Sequence, residues 1–542
     1  MFQIYNRELV EGALKESKKK INFFKCIVFI VGALIILQGA LYILKRPKNE
    51  QWDASGLKYA HDNPDFYDVI FCGTSIAVMN VSSEELYSKY GIASVTLGEP
   101  EQPVYLSYYT LKDALEDQSP QVVFYDINAL FYSIEMLKNR LDSDEYYYLH
   151  LSVDGIKDYK TKYEAVQVAK TLKPSIDIIS YFSSLYNNHS NWENVNKPNF
   201  IRKSGKMVMN GNLMSFDIAD GLTDLRNSIN TSYDSTVSAN RMVEFNKKYL
   251  LKIIELCKEK SVDLVLLRGA GVNTYLSNAD YNMVDAIAKE YNLPFIDISQ
   301  CEDEVGIDWN VDSTDGNHHN IVGAKKWTDY LGEYLISNYQ ITDKRDNLEY
   351  DYFENEKQRY EEALEIMETK IALLSATSFG NYLNELKKID TNDNAIFISI
   401  SDDATESLLD EEIKQMSELG IESDLKDKFR YSFAAVIDNN HVEEMMKKGK
   451  VSLEGTLEND INYSIVSGGY LSGTAASISL NGQNVIQGGR GFNIVVYNKK
   501  YGEILSNVYF DTFANVNPQA SRRSELVQTQ YETGVNQWRA IE

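Results

Sequence analysis

Histidine is scarce in this chain: six in 542 residues, at His61, His150, His189, His318, His319 and His441. Any reaction that needs an imidazole base has few places to find one. Cysteine is as sparse. Cys26, Cys72, Cys257 and Cys301 form neither a CxxC pair nor a metal-ligand spacing, so neither a disulfide framework nor a zinc site is expected, and no cofactor either. Cys26 lies in an apolar segment and Cys72 in a predicted strand, where both read as small buried hydrophobes. Positive charge is in deficit, with 54 Lys and Arg against 79 Asp and Glu. The formal net charge of −25 argues against nucleic acid as a partner. Repeats are not evident. At this length two domains are the natural expectation, and 44% hydrophobic residues supply sizeable cores.

A long apolar run occurs once, from Cys26 to Leu44, with Gln38 its one strongly polar residue. Roughly 19 residues suffice to cross ~30 Å of hydrocarbon. Upstream lie Arg7, Lys15, Lys18, Lys19, Lys20 and Lys25; downstream lie Lys45, Arg46 and Lys48. The larger positive cluster predicts residues 1–25 in the cytoplasm and the bulk of the chain outside the cell membrane. The run is long for a cleaved signal peptide and no clear small-x-small site precedes Lys45, so an uncleaved single-pass anchor over 26–44 is expected.

Beyond a linker-like stretch from Asn49 to Pro64, short apolar runs alternate with helical patterns. Val69–Cys72, Ala93–Leu97, Val122–Asp126, Leu264–Arg268 and Pro294–Asp297 read as strands, with helices over Ser83–Tyr90, Tyr105–Glu116 and Gly323–Asn338. Ser82-Ser83-Glu84-Glu85 resembles a capping box. This alternation predicts a three-layer α/β domain with a parallel sheet over 50–345, interrupted at 133–246 by a mostly helical insertion, either plain scaffold or a cap over a site. A charged helix over Asp351–Leu374, within a connector at 346–391, reads as solvated. From 392 to 515 the pattern changes to a β-rich α+β domain, with strands at Ala395–Ile400, Tyr431–Ile437, Ala476–Leu480 and Phe492–Tyr497 and a helix at Glu406–Leu419. The tail, 516–542, is polar and reads as helical.

Two short motifs carry chemistry. Gly73-Thr74-Ser75 follows the first strand, and Asp315-Gly316-Asn317-His318 precedes the last helix of the α/β domain. Ligands of open parallel sheets bind at the carboxyl ends of strands, where Ser75 is expected. A serine hydroxyl needs a neighbouring base; His318 is the candidate, and Asp315 would set its tautomer. His319 is a rival base. Oxyanion donors would be the Ser75 backbone N–H, Gly98 after the second strand, and Asn128 after the third. Taken singly, each of these residues is more often a turn, cap or core residue. Their joint order is what points to serine acyl chemistry.

On these residues the chain resembles the SGNH/GDSL hydrolase superfamily. Asp68-Val-Ile-Phe-Cys-Gly-Thr-Ser75 is similar to its first block, Gly98 to the glycine of its second, and Asp315-Gly-Asn-His-His-Asn-Ile-Val-Gly-Ala324 to its last. Where the family has Gly-x-Asn-Asp in its third block, this chain has Asp126-Ile-Asn128-Ala129. With the anchor, it most resembles the DltD and alginate O-acetyltransferase type, which works beside a membrane-bound O-acyltransferase (MBOAT). That resemblance implies an SGNH-type domain with a Ser75/His318/Asp315 triad, an MBOAT partner and a polysaccharide acceptor. The alternatives are a polysaccharide O-acetyl esterase and a non-catalytic glycan-binding surface protein. Residues 392–515 resemble the interleukin-like EMT inducer (ILEI) domain on Ile398-Ser-Ile-Ser-Asp-Asp-Ala404, Arg430-Tyr-Ser432, Arg490-Gly-Phe-Asn-Ile-Val-Val-Tyr497 and Phe510-Asp-Thr512, with the halves in permuted order. This implies carbohydrate binding, with Tyr470 or Phe492 as stacking candidates and core packing the alternative role for each.

Overall fold

A computed structural model describes residues 24–44, 56–142, 152–182, 192–193, 195, 208–219, 242–269, 278–458, 460–486, 488–513 and 520–522. His150 and His189, the start of the linker and most of the tail lie outside these residues. Phe24–Leu44 is one helix, long and apolar enough to cross a membrane, with none of its hydrophobic stretch buried against the rest of the protein. Cys26 sits on its exposed surface, contrary to the buried role expected for it.

The α/β unit is built on five parallel strands, β1 (Val69–Gly73), β2 (Ser94–Gly98), β3 (Val122–Asp126), β4 (Asp263–Arg268) and β5 (Phe295–Asp297), in the order β2-β1-β3-β4-β5. The first three strands are buried at every position because helices cover both faces. Alternation along each strand divides two cores. Ile70, Cys72, Val123, Tyr125, Leu264 and Leu266 face one layer, with α3 (Val104–Asp117) and α4 (Glu244–Lys260). Val69, Phe71, Val122, Phe124, Val265 and Leu267 face the other, with α2 (Ser83–Tyr90) and α6 (Ile321–Asn338). The short helix α1 (Ser75–Asn80) starts where β1 ends, and α5 (Asn278–Tyr291) precedes β5. Chain connections diverge between β1 and β3, and a doubly wound sheet opens a crevice beyond the carboxyl ends of the strands at such a point.

Several expectations are revised. The linker-like stretch contains a helix, Gly56–Asp62, which buries Leu57 and Ala60. Only half of a capping box forms at α2: Ser82 Oγ accepts from the Glu85 N–H at 3.2 Å, while the Glu85 carboxylate turns to Lys325 at 3.0 Å. The insertion holds helices, Ile134–Asp142 and Tyr159–Leu172, and also a hairpin, Val208–Met209 with Asn212–Leu213. Asn212, fully buried, accepts from Ser83 N–H and Oγ at 3.1 and 2.8 Å and donates to Thr96 Oγ1 at 2.9 Å, tying the insertion to α2 and β2.

Helix α7 (Asp351–Ser375) is not a solvated connector. One face buries Phe353, Tyr360, Ala363, Met367 and Leu373. Tyr360, Ala363 and Met367 share a cluster with Met214, Phe216 and Ile321 of the α/β unit, and Tyr501 of the second unit lies against Phe216 at 5.7 Å. The second unit has a ten-stranded mixed sheet. At its centre, β6 (Asn394–Asp402) pairs with β12 (Gly491–Asn498) and with β7 (Ser432–Asp438). Ile396, Ile398 and Ile400 face α8 (Phe379–Leu386) and α9 (Asp410–Glu418). Ala395 and Phe397 face the layer formed by β9 (Val451–Thr456), β10 (Asn462–Gly469) and β11 (Ala475–Leu480). Its core therefore reaches back before residue 392. Strands β8 (His441–Lys447), β9, β10 and β13 (Glu503–Phe510) join those expected. Ala520–Arg522, expected to be helical, pairs as a strand with β13.

Candidate active site

Gly73 ends β1 with φ +153°, a conformation an L side chain rarely adopts, and a Cβ there would lie 2.5 Å from the Asp126 Cβ. Thr74 then caps α1, its Oγ1 accepting from the Ile76 N–H at 3.2 Å. This sharp passage from strand to helix lifts Ser75 out of the core. From Val69 to Tyr87, Ser75 alone is not buried.

Ser75 and His318 stand 243 residues apart and meet at 2.8 Å, Oγ to Nε2. His318 Nδ1 lies 2.7 Å from Asp315 Oδ2. The other Asp315 oxygen accepts from the backbone N–H groups of Asn317 and His318, both at 2.9 Å, so the carboxylate is fixed before it meets the ring. Further bonds hold this loop. Ser313 Oγ donates to the His318 carbonyl at 2.9 Å and accepts from the Gly316 N–H at 2.9 Å. Asn80, at the end of α1, accepts from the His319 N–H at 2.9 Å, joining the two motifs a second time. Asn320 caps α6 and donates to the Val311 and Asp217 carbonyls.

Burial by itself would depress the His318 imidazolium. The Asp315 charge and hydrogen bond outweigh it, Asp126 and Glu101 add to them, and the net shift is upward. Asp315, despite desolvation, is held down to about 2 by the His318 charge and by its hydrogen bonds. His319 behaves in the opposite way. Burial pushes it down to about 4, its Nδ1 sits 3.3 Å from the Asp312 carbonyl, and Nε2 has no partner among the described residues. It is a neutral packing residue, so the rival base does not reach Ser75.

The other residues picked out from the sequence lie along the same edge. Gly98 is level with Gly73 in the neighbouring strand, and a Cβ there would press on Val78 Cγ2 at 2.8 Å and the Gly73 carbonyl at 3.0 Å, so packing alone requires glycine. Asn128 lies two residues past β3, its backbone N–H bound to Asp126 Oδ1 at 3.1 Å. The sequence reading missed the role of Asp126. This fully buried carboxylate accepts from Thr74 N–H at 3.0 Å and Thr74 Oγ1 at 2.5 Å, locking the turn that aims Ser75. Burial raises its carboxyl above the ordinary range, while Thr74, Asn128 and His318 pull it back. An acidic residue closing the apolar strand Val-Val-Phe-Tyr was the available signal. Glu101, also missed, has φ +53° and is pinned by Arg140 of the insertion through its carbonyl at 2.8 Å and its carboxylate at 2.9 Å.

Phe492 and Tyr470 part company in the second unit. Phe492 is fully buried against Phe379, ring centroids 4.9 Å apart, and is core. Tyr470 is exposed, with the Arg430 guanidinium 4.4 Å from its ring centroid. Among the described residues no group of three His, Cys, Asp or Glu side chains is disposed to hold a metal ion.

Comparison with models of known protein families gives no match, and comparison with curated proteins gives none.

Proposed function

We propose that the protein is an extracytoplasmic O-acyltransferase with an SGNH-type catalytic domain, moving an acyl group, acetyl by this reading, onto a hydroxyl of a cell-surface or secreted polysaccharide beside an MBOAT partner. The observation that carries this reading is the hydrogen-bonded line Ser75 Oγ, His318 Nε2 and Nδ1, Asp315 Oδ2, with distances of 2.8 and 2.7 Å. The apolar helix Phe24–Leu44 supports placement at a membrane, and the larger cluster of Lys and Arg before it supports the reading that the bulk of the chain is outside.

In this mechanism Ser75 Oγ adds to the acyl carbonyl carbon as its proton passes to His318 Nε2. The half-exposed Asp315 carboxylate stabilises the imidazolium through Nδ1. Collapse of the tetrahedral oxyanion expels the donor's leaving group, which takes the proton from Nε2 and leaves an acyl ester on Ser75. A sugar hydroxyl then gives its proton to Nε2 and its oxygen attacks the ester. The second collapse returns the proton to Ser75 and releases the acylated sugar. The Ser75 N–H opens the first turn of α1, where a backbone donor has no partner inside the helix, and Gly98 and Asn128 are the further candidates to face the oxyanion. Water in place of the sugar would turn the same cycle into an esterase.

A Ser75→Ala chain expressed with its native membrane partner tests both readings. Loss of polymer O-acetylation is the expected result. A rise would identify the esterase, and an unchanged level would sink acyl chemistry at Ser75 altogether.

A further inference from the structure

We propose that the insertion carries a membrane-resting face, formed by the helix Tyr159–Leu172 and the turn Ile178–Tyr181 with Phe182, that lies on anionic lipid headgroups of the bilayer holding the anchor. It rests on the reading of Phe24–Leu44 as that anchor.

The face is apolar and open. Tyr159, Tyr163, Ile179 and Phe182 are 74, 49, 60 and 36% exposed. Tyr159 and Tyr163 are four apart on one helix and share a face, while Ile179 and Phe182 are three apart on a 3₁₀ turn and eclipse one another. The Phe182 ring joins the two pairs, 6.3 Å from Tyr159 and 6.5 Å from Tyr163. Away from the two tyrosines the helix buries Thr161, Ala165 and Ala169 in the protein, with Val166 buried at the margin of the aromatic side.

Charge favours the same occupant. In a chain of net charge −25, Lys160 and Lys162 interleave with the two tyrosines and Lys170 follows. None of these three makes an ion pair among the described residues, and the Lys162 ammonium lies 6.0 Å from the Phe182 ring centroid. The acidic residues of the helix are already engaged: Asp158 caps it through the Thr161 N–H at 2.7 Å, and Glu164 pairs with Lys112 at 2.9 Å. Tyrosines and other aromatics interleaved with lysine are the composition of a membrane–water interface.

Tether length puts the face within reach. Eleven residues separate Leu44 from Gly56, a span of at most about 40 Å. The helix Gly56–Asp62 is docked beside the start of the aromatic helix. A Cβ on Gly155 would lie 3.2 Å from Leu57, and Asp113, bonded to His61 at 2.8 Å, also accepts from the Lys157 and Asp158 N–H groups at 2.8 and 2.9 Å. Gly56, where the described chain resumes after the anchor, therefore begins a helix docked beside this face.

The test uses the full chain in vesicles of phosphatidylcholine with or without phosphatidylglycerol. Cys26→Ser removes the exposed thiol, and an environment-sensitive fluorophore is placed at Tyr163→Cys, Ile179→Cys or, as a control on the second unit, Lys414→Cys. Co-flotation with vesicles reads the anchor alone. Lipids carrying a nitroxide just below the headgroup are expected to quench the labels at 163 and 179 by about twofold or more, and to leave the label at 414 bright. Adding Lys160→Glu with Lys162→Glu should weaken quenching in phosphatidylglycerol vesicles and leave it unchanged in neutral ones. A chain that floats but whose labels at 163 and 179 match the control overturns the proposal and leaves the anchor standing, whether or not those labels respond when a membrane protein partner is added. A chain that does not float removes both.

Discussion

The two sheets of this protein treat their strand ends differently. In the α/β unit all five strands run parallel, so their carboxyl ends meet at one edge, and there the chain places Ser75, Gly98, Asp126 and Asn128. In the second unit most pairings are antiparallel, strand ends fall on both edges, and of its two aromatic candidates Phe492 serves the core while Tyr470 stays exposed. β12 is buried at all eight positions, and the strand-borne Phe492 closes on Phe379 and α8. A parallel sheet covered by helices gathers polar residues where the backbone must turn; a layered antiparallel sheet leaves them dispersed. The candidate site accordingly lies in the first unit.

The largest effect expected from this contrast is on activity. Asp315→Asn should lower kcat for acyl transfer by about 10⁴-fold, because the wrong imidazole tautomer then faces Ser75; steady-state kinetics reads it, and a full-rate enzyme would show that His318 needs no carboxylate. Next comes stability. Phe492→Ala should cost about 3–5 kcal/mol in denaturant unfolding of the second unit, whereas exposed Tyr470→Ala should stay within about 0.5 kcal/mol. Equal effects at these two positions would break the assignment of Phe492 to the core.

A smaller effect belongs to Asp126→Asn, expected to reduce kcat by about 10²-fold with KM little changed, since the turn that aims Ser75 loosens. The same variant bears on pH. In the proposed reaction His318 works as the neutral base, and carboxylates raise its pKa, so activity should climb through a midpoint above the ordinary histidine value. Removing the Asp126 charge destabilises the imidazolium and should move that limb to lower pH. A purely structural loosening would leave it in place.

The smallest expected effect is a slope of stability with pH. His61 is held by Asp113 and Asp117 at 2.8 and 2.7 Å, and the Asp113 hydrogen bond, with Asp117 helping against desolvation, raises its pKa. A raised folded pKa stabilises fully below the unfolded value of about 6.5 and is lost as pH rises through the folded value. Thermal melts should therefore show stability falling with pH above about 6.5, and His61→Gln should flatten that part of the profile.

Much of this was legible in the chain itself. The apolar runs Val-Ile-Phe-Cys and Val-Val-Phe-Tyr announce strands buried on both faces, and Ser82 before a polar-apolar period announces α2. Less legible was everything that depends on partners distant in sequence. The period of α7 gave its helix but not its buried face, because Tyr360 and Met367 face Met214 and Phe216, which come from the insertion. Asn210-Gly211-Asn212 is a hairpin signal, yet nothing local says that Asn212 will be buried against Ser83 and Thr96.

What the sequence determined by itself are the properties set by composition and short-range pattern: one apolar segment long enough for a bilayer, five strands alternating with helices, and a serine and an Asp-x-x-His placed at turns. Tertiary structure decided which histidine serves Ser75, which glycines are required by close approach, and which carboxylate locks the turn. Those outcomes follow from strand order and register, which bring residues 243 positions apart to 2.8 Å. Burial then divides two adjacent histidines, leaving His318 paired with a carboxylate and His319 neutral in the core.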